Sequence, residues 1–320
     1  MKKAIITGIT GQDGAYLSKL LINKGYEVIG LSRSYNLANL IGLNYLGIKD
    51  KVIIEKCDLL DLSNLIKIIN KYSPDEVYNL AAQSSVGLSF QQPIGTINFN
   101  AISVLNLLEA IRSNRKKIKF YQASSSEMFG KINSLPIKED HFFHPLSPYA
   151  ISKASAHWLT VNYRESYKIF TCCGILFNHE SYLRSNDFFV KKVLKAALNI
   201  KNGVQSVLKV GNIDIKRDFG YAPKYAEAMW LMMQQEKPDN YIICSGKSIS
   251  LRKIICYIFD KLNISHEKIL VDEKLYRPSE IDDIYGDNSK AKNNLSWNYD
   301  MDFFDVLDIL IEEESNNYKL

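Results

Sequence analysis

The sequence is poor in cysteine, nearly balanced in charge and without a long apolar run. Its 320 residues include five cysteines, an odd number without metal-ligand spacing, which argues against a disulfide framework, a zinc finger or another metal site. The formal net charge of +5 is too small for a dedicated nucleic-acid binder, although it leaves room for a local basic cleft that holds an anionic ligand. No apolar run approaches the roughly 18 residues of a membrane-spanning helix, and polar residues follow the first lysines too soon for a signal peptide. We therefore expect a cytoplasmic protein, without membrane or nucleic-acid partners, with reduced and mostly buried thiols at Cys57, Cys172, Cys173, Cys244 and Cys256.

Apolar β-type runs alternate with helical patterns through the first half of the chain. The length allows one large α/β domain or two smaller ones. The alternation predicts an α/β fold with a Rossmann-type doubly wound parallel sheet. Strands are predicted at residues 4–7, 27–31, 52–54, 76–79, 117–121 and 170–176, and helices at 16–24, 62–70, 98–112 and 147–167.

The alternation of strand and helix patterns becomes irregular beyond about residue 178. The methionines and aromatic residues of 222–235 indicate core packing. We expect a Rossmann-type domain over residues 1–177 and a smaller C-terminal α/β substrate lobe over 178–320, with segments that interleave with the first domain. In this lobe a loop is predicted at 179–187, a strand at 207–210, and helices at 188–200, 222–235, 251–262 and 303–314.

A glycine-rich segment follows the first predicted strand and precedes a helical pattern. Glycines at such a place let the backbone turn tightly and approach a pyrophosphate, which then lies at the positive end of the helix. A plain turn is the alternative, but the position between strand and helix favours a dinucleotide site. The GxxGxxG spacing resembles the extended short-chain dehydrogenase/reductase family. The candidate cofactor residues of this segment are Gly8, Thr10, Gly11, Gln12, Asp13 and Gly14.

Residues after the next strands extend this candidate groove. Arg33, between Ser32 and Ser34, suits the 2′-phosphate of NADP better than the ribose hydroxyl of NAD, although NAD remains open. Asp58 and Leu59 are expected at the adenine, as a carboxylate near its amine and an apolar contact to its ring. Small residues after the fourth strand allow close passage of the cofactor, at Leu80, Ala81, Ala82 and Ser84.

Tyr149 and Lys153 have the i, i+4 spacing that places two side chains on one helix face. An ammonium near a phenol favours the phenolate and lowers the phenol's pKa. Such a phenolate is a base for a sugar or alcohol hydroxyl while hydride leaves for nicotinamide. A surface pair is the alternative interpretation.

Ser125 and Glu127 lie at the end of the fifth predicted strand, where α/β proteins bind ligands. If this segment is extended, both side chains project to the same side. Ser125 is then placed to hydrogen-bond the substrate 4-oxygen beside Tyr149. Glu127 adds a second base, suited to removing a proton α to a newly formed ketone.

Segments spread over almost the whole chain resemble the GDP-mannose 4,6-dehydratase family. They are residues 8–14, 124–130, 147–153, 161–167, 174–181 (GILFNHES), 227–235 (EAMWLMMQQ), 277–280 and 286–287. The resemblance implies a tightly bound NADP that is recycled, an NADP-binding first domain and a nucleotide-sugar-binding second lobe. It also implies that Tyr149 deprotonates the sugar 4-hydroxyl as hydride passes from C4 to the cofactor. Glu127 then takes the C5 proton and returns a proton as the 6-hydroxyl leaves as water, after which hydride returns to C6.

The resemblance assigns further residues. It implies that Lys153 tunes Tyr149 and contacts the nicotinamide ribose, that His179 and Arg184 contact the cofactor, and that Glu280 contacts a ribose. Ser84 and Ser85 are expected to border the sugar. The residues implied around the nucleotide sugar are Asn178, Lys192, Arg217 and Arg277.

Several family features are altered, which leaves alternatives open. Ser125 replaces the usual Thr, and Arg33-Ser34 replaces an Arg-Arg pair. Residues 35–44 do not match the family's loop, which reaches across a tetramer interface, and residues 181–185 replace a more basic loop. GDP-mannose is the leading substrate, with GDP-N-acetylglucosamine or a GDP-manno-heptose as alternatives and a nucleotide-sugar 4-epimerase as a further one. A homo-oligomer is expected, either dimer or tetramer.

Overall fold

The computed structural model describes residues 1–33 and 40–318. The helices are α1 (Gln12–Asn23), α2 (Ile41–Tyr45), α3 (Leu62–Tyr72), α4 (Val86–Gln91), α5 (Pro93–Ile97), α6 (Ser103–Arg112), α7 (Pro148–Tyr167), α8 (Phe189–Lys201), α9 (Ala222–Gln234), α10 (Leu251–Lys261), α11 (Ser289–Leu295) and α12 (Phe303–Asn316). The strands are β1 (Lys3–Thr7), β2 (Glu27–Ser32), β3 (Val52–Lys56), β4 (Glu76–Asn79), β5 (Lys119–Ser125), β6 (Thr171–Leu176), β7 (Asn178–Glu180), β8 (Leu208–Val210), β9 (Lys216–Tyr221), β10 (Asn240–Ile243), β11 (Ser248–Ser250), β12 (Ile269–Val271) and β13 (Asp283–Ile284).

A seven-stranded parallel sheet forms the larger part of the fold, in the order β10-β6-β5-β4-β1-β2-β3. Both faces are covered. Ala4 and Ile6 pack with α1 and α9, whereas Ile5 packs with α3, α6 and α7 on the opposite face. Burial on both faces explains why the strands read as continuous apolar runs. This architecture confirms the predicted α/β fold, and the crevice at the carboxyl ends of β1 and β4, where the strand order reverses, is the expected ligand position.

A smaller assembly of short strands and helices follows the larger sheet. β9 is flanked by β11 and β13 and also pairs with β7, while β8 pairs with β12. Helices α8, α10 and α12 share a separate hydrophobic core above these strands. The segment 222–243 departs from this lobe, because α9 packs against α1 and β10 pairs with β6 in the larger sheet. The domain boundary at residue 177 stays a prediction.

One expectation for the second half needs correction, and one strand of the larger sheet was missed. The loop predicted at 179–187 begins with β7, a three-residue strand whose polar side chains gave no apolar signal. Strand β10, the edge of the larger sheet, was not predicted, because it is short and its pairing with β6 depends on tertiary contact. In contrast, Met229, Met232 and Met233 are fully buried, which confirms core packing for this helix. None of the five cysteines forms a disulfide within the described residues, and only Cys256 is partly exposed.

Within the described residues one helix, over residues 93–112, is long and apolar enough to cross a membrane by length and composition alone. There α5, a π-helical turn and α6 join into one continuous helix. Half of its most apolar window is buried inside the protein. Because the run packs against α3 and α7, it is the core helix of this fold.

Candidate active site

A cavity of about 960 Å³ opens at the carboxyl ends of the larger sheet, between the sheet and the C-terminal lobe. Most of the residues predicted for cofactor, substrate and catalysis line it. Three do not: Asp58, Lys192 and Glu280. The predicted residues that line the cavity are Gly8, Thr10, Gly11, Gln12, Asp13, Gly14, Arg33, Leu59, Leu80, Ala81, Ala82, Ser84, Ser85, Ser125, Glu127, Tyr149, Lys153, Asn178, His179, Arg184, Arg217 and Arg277.

The glycine-rich turn leaves no space for side chains. Gly8 has φ +70°, and a Cβ built on it would lie 2.9 Å from the backbone nitrogen of Ala81. A Cβ on Gly14 would lie 2.3 Å from the carbonyl oxygen of Gly8. Gly11 is the N-cap of α1, and within the described chain no side chain caps this helix. The first N–H groups of α1 are therefore available to an anion in the cavity, which fits a dinucleotide pyrophosphate.

Asp13 and Gln12 join the start of α1 to the C-terminal lobe. The Nε2 atom of His179 lies 3.0 Å from both carboxylate oxygens of Asp13, and Gln12 Nε2 donates to the His179 carbonyl oxygen at 3.1 Å. Ser181 Oγ donates to Gln12 Oε1 at 2.7 Å. Burial acts to raise the pKa of Asp13, but the charge and hydrogen bond of His179 outweigh it and lower this pKa to about 2. Asp13 is therefore ionised and paired with His179.

The adenine end of the groove differs from the prediction at one residue. Asp58 accepts a hydrogen bond from the backbone nitrogen of Leu60 at 3.0 Å and does not line the cavity. A short carboxylate readily bonds to nearby backbone in this way. Cys57 and Leu59 line the cavity instead. Arg33 is exposed at the rim, with its guanidinium 5.5 Å from the Phe99 ring centroid, and Ser34 lies outside the described residues.

Tyr149 and Lys153 share the buried face of α7, but the expected effect of Lys153 on the phenol is not found. Lys153 Nζ donates to the carbonyl oxygen of Ala123 at 2.8 Å, and burial lowers the lysine's pKa to about 8. Burial likewise raises the pKa of Tyr149 to about 12, although a hydrogen bond from Ser125 acts to lower it. Desolvation is therefore the main cause of the pKa shift of each group.

Ser125 and Glu127 face the same cavity for a different reason from the one predicted. The extended strand β5 ends at Ser125, and the chain turns through a 3₁₀ helix over Ser126–Met128. Ser125 Oγ accepts a hydrogen bond from the backbone nitrogen of Glu127 at 3.3 Å. The alternation argument is wrong here, because a side-chain cap and a tight turn, and not strand periodicity, bring Glu127 to the cavity.

Arg217, predicted to bind the nucleotide sugar, lines the cavity and is held there by backbone contacts. Arg217 on β9 is 6% exposed, and its guanidinium donates to the carbonyl oxygens of Ile281 at 2.5 Å and Lys216 at 2.8 Å. Burial lowers the pKa of Arg217, and the nearby charge of Glu127 acts against this shift. The position of Arg217 close to Glu127 therefore joins the predicted substrate cations to the catalytic residues.

The lysine predicted on α8 lies elsewhere. Lys192 lines a separate cavity of about 580 Å³, whereas Lys191 and Lys195 line the main one. Consecutive residues of a helix point about 100° apart, so Lys191 and Lys192 face different cavities. Sequence reasoning also missed Glu180 and Tyr182 in the main cavity, and the basic character of 191–195 was the one available signal.

Comparison with known proteins places this site in context. A family model described as GDP-mannose 4,6 dehydratase matches residues 5–310. The chain is 44% identical to GDP-mannose 4,6 dehydratase 1 of Arabidopsis thaliana, over 98% of this chain and 90% of that protein. It is 41% identical to GDP-mannose 4,6 dehydratase of Dictyostelium discoideum, over 98% of this chain and 96% of that protein.

Solved structures resemble the fold. A UDP-glucose 4-epimerase of Thermotoga maritima with UDP-glucose superposes with TM-score 0.88 at 21% identity, covering 98% of this chain and 99% of that one. The dTDP-glucose 4,6-dehydratase of Bacillus anthracis in complex with NAD gives 0.86 at 18% identity, covering 99% and 97%. RMD of Pseudomonas aeruginosa complexed with NADPH gives 0.84 at 23% identity, covering 99% and 100%. At these identities the likeness establishes the fold alone.

Proposed function

The chain belongs to the GDP-mannose 4,6-dehydratase family, and we propose on that premise that it converts GDP-mannose to its GDP-4-keto-6-deoxy sugar. The reaction is an internal oxidation and reduction combined with loss of water, which makes the enzyme a hydro-lyase. The observation that supports it is one cavity that unites a dinucleotide cradle with Ser125, Glu127 and Tyr149. An elimination of this type needs one base at the 4-hydroxyl, a second at C5 and a hydride carrier.

The cofactor is a nicotinamide dinucleotide, which when bound accepts a hydride from C4 of the sugar and returns it to C6. Gly8, Gly11 and Gly14 fit its pyrophosphate, since they keep the start of α1 open to an anion. We assign NADP over NAD because Arg33 places a cation at the rim of the groove after β2. The fixed guanidinium geometry suits a phosphate better than a hydroxyl.

Tyr149 is the base for the 4-hydroxyl in this assignment. Its Oη receives the proton as C4 is oxidised, and Ser125 hydrogen-bonds both the phenol and the sugar oxygen. Because burial raises the pKa of Tyr149 to about 12, the phenol is protonated at neutral pH and must release this proton before its Oη can act as the base. Lys153, which donates to the Ala123 carbonyl, is assigned to the nicotinamide ribose, since burial is the main cause of the shift in the pKa of Tyr149.

Glu127 is the second base. Its carboxylate takes the C5 proton once C4 is a ketone and then gives a proton to the 6-hydroxyl as it leaves; a solvent proton delivered through Glu127 returns to C5 when hydride reaches C6. Arg217 lies near Glu127 and, with Arg277 and Asn178, is assigned to the nucleotide sugar. Converging guanidinium groups suit a diphosphate, which accepts paired hydrogen bonds.

The alternative substrates and the epimerase are not favoured. The relatives at 37–44% identity are named for GDP-mannose dehydration, and a 4-epimerase has no use for a base at C5. The test is to compare kcat/KM for GDP-mannose, GDP-N-acetylglucosamine and a GDP-manno-heptose. GDP-mannose is expected to give the largest value, with loss of water and no added oxidant. A larger value for either other sugar would reassign the substrate.

We also propose a cytoplasmic homo-oligomer. The helix over residues 93–112 and α7 pack together, and both carry exposed apolar side chains. Contiguous exposed apolar surface marks a protein contact. Sedimentation velocity is expected to show a dimer or tetramer, and a monomer at micromolar concentration would refute this proposal. The apolar residues concerned are Ile94, Ile97, Ile102, Ile151 and Trp158.

A further inference from the structure

The C-terminal helix α12 ends in a way that its own sequence disfavours. Glu312, Glu313 and Glu314 lie in its last turns, and the final turn contains no basic residue. The helix dipole makes negative charge unfavourable at this end. Glu314 is nevertheless 6% exposed and Glu313 is half-buried, while Glu312 is exposed. Buried carboxylates need partners, and Glu314 finds one in Lys191, which lines the main cavity.

Glu314 forms an ion pair with Lys191, and both side chains are almost fully buried. Lys191 Nζ also donates to the carbonyl oxygen of Tyr182 at 2.6 Å and lies 4.2 Å from the centroid of the Tyr182 ring. Both Lys191 and Tyr182 line the main cavity. The end of α12 therefore fixes the segment that carries Tyr182 against α8.

Glu313 reaches the other side of the same segment. Tyr45 Oη, at the end of α2, donates to Glu313 Oε1 at 2.7 Å. The ring of Tyr45 packs on that of Tyr182, with centroids 4.6 Å apart. The five side chains Tyr45, Tyr182, Lys191, Glu313 and Glu314 thus form a continuous set of contacts, which we call the C-terminal clamp.

The clamp holds α2 next to the start of α1. A Cβ built on Gly42 would lie 3.2 Å from Ala15 Cβ on α1 and 3.3 Å from Leu183 Cδ1. Ile41, Gly42 and Leu183 line the main cavity. Since the start of α1 carries the anion-binding N–H groups, the clamp acts on the wall of the dinucleotide groove.

We propose that Glu313 and Glu314 are positioning residues for dinucleotide binding, acting through Tyr45 and Lys191 to hold α2 and residues 182–184 against the cofactor groove. The proposal rests on the proposed function only in requiring a nicotinamide dinucleotide as ligand. It does not depend on which sugar is the substrate.

The test compares three variants, Glu313→Gln, Glu314→Gln and Tyr45→Phe, with Glu312→Gln as the matched control on the same helix. The dissociation constants of NADPH and NADH are measured by fluorescence titration, and Tm is measured without ligand. We expect each clamp variant to weaken binding of the preferred dinucleotide about 3- to 10-fold, the effect of losing one hydrogen bond. Glu312→Gln is expected to bind like the wild type.

A double-mutant cycle identifies the mechanism. Tyr45→Phe removes the hydrogen bond to Glu313, whereas Glu313→Gln keeps an acceptor but removes its charge, so the combination is expected to weaken binding no more than Tyr45→Phe alone. Tyr45→Phe removes one hydroxyl from an exposed side chain and remains informative if Glu314→Gln does not fold.

Unchanged dissociation constants for Tyr45→Phe and Glu313→Gln, even with a lowered Tm, would overturn the proposal and leave the clamp a purely structural contact. A wild-type protein that binds NADPH but does not turn over GDP-mannose would refute the proposed function and leave this test intact.

Discussion

Both ring nitrogens of His179 face acceptors: Nε2 lies 3.0 Å from each carboxylate oxygen of Asp13, and Nδ1 lies 2.7 Å from the carbonyl oxygen of Phe177. Neither partner donates a hydrogen, because Asp13 is ionised with a pKa of about 2. The ring also stacks on Tyr225 at 4.5 Å, so α1 is tied to the C-terminal lobe through a buried imidazole.

The first prediction concerns Asp13 and acid. A folded-state pKa of about 2 against the ordinary 3.8 means that ionised Asp13 adds stability, about 2 kcal/mol, above pH 4. This contribution is lost as pH falls from 4 through 2. Asp13→Asn is expected to remove it, which urea denaturation at pH 7 and at pH 3 measures. Equal losses of unfolding free energy at both pH values, compared with the exposed control Glu312→Gln, would contradict this assignment.

The second prediction concerns Gly14. Gly14→Ala places a methyl group 2.3 Å from the carbonyl oxygen of Gly8, so the turn must open and the start of α1 must shift. We expect NADPH binding to weaken by about tenfold or more, about 1.4 kcal/mol at least. Gly95→Ala is the matched control, since no atom lies within 4 Å of its added Cβ. Titration with NADPH measures the affinity of both variants. Equal NADPH affinities for Gly14→Ala and Gly95→Ala would show that this turn is not part of the cofactor site.

The third prediction concerns Ser125 and pH. Burial raises the pKa of Tyr149, and the hydrogen bond from Ser125 acts to lower it. Ser125→Ala is therefore expected to raise this pKa, to move the rising limb of the kcat/KM profile to higher pH and to reduce activity about tenfold near neutrality. Ser125→Thr keeps the hydroxyl and is expected to restore the wild-type profile. A profile for Ser125→Ala that falls in height without moving would exclude the proposed link to Tyr149.

The fourth prediction concerns Glu127. Glu127→Gln keeps the size of the side chain but removes the base for C5, so dehydration is expected to fall at least about 100-fold. Oxidation at C4 needs only Tyr149, and reduced nicotinamide is therefore expected to accumulate on the variant. Stopped-flow absorbance with GDP-mannose measures this step. Full dehydratase activity in Glu127→Gln would remove the second base from the mechanism.

Local patterns in the sequence were enough to predict the sheet and the cofactor turn. The strand predicted at 4–7 lies within the observed β1, because residues 4–6 are a short apolar run of the kind that buried parallel strands show. The glycine turn is similarly local, since close backbone approach at Gly8 and Gly14 permits no side chain. Strand β10 escaped prediction because its partner β6 is distant in sequence.

The sequence predicted which residues line the cavity better than it predicted how those residues are protonated and held. Tyr149 and Lys153 share a helix face as expected, but the protonation of each depends on burial, which spacing does not reveal. Glu127 reaches the cavity through a turn that Ser125 caps. Lys191 lines the cavity in place of Lys192 because helix phase at the start of α8 is set by packing.

The most direct test of the central claim is mass spectrometry of GDP-mannose incubated with the purified enzyme in ordinary and in deuterated water, without added oxidant. The dehydratase account predicts that the product loses one water and, in deuterated water, gains solvent deuterium on carbon, because the proton at C5 exchanges through Glu127. An unchanged mass with altered stereochemistry, or loss of water without deuterium on carbon, would contradict it.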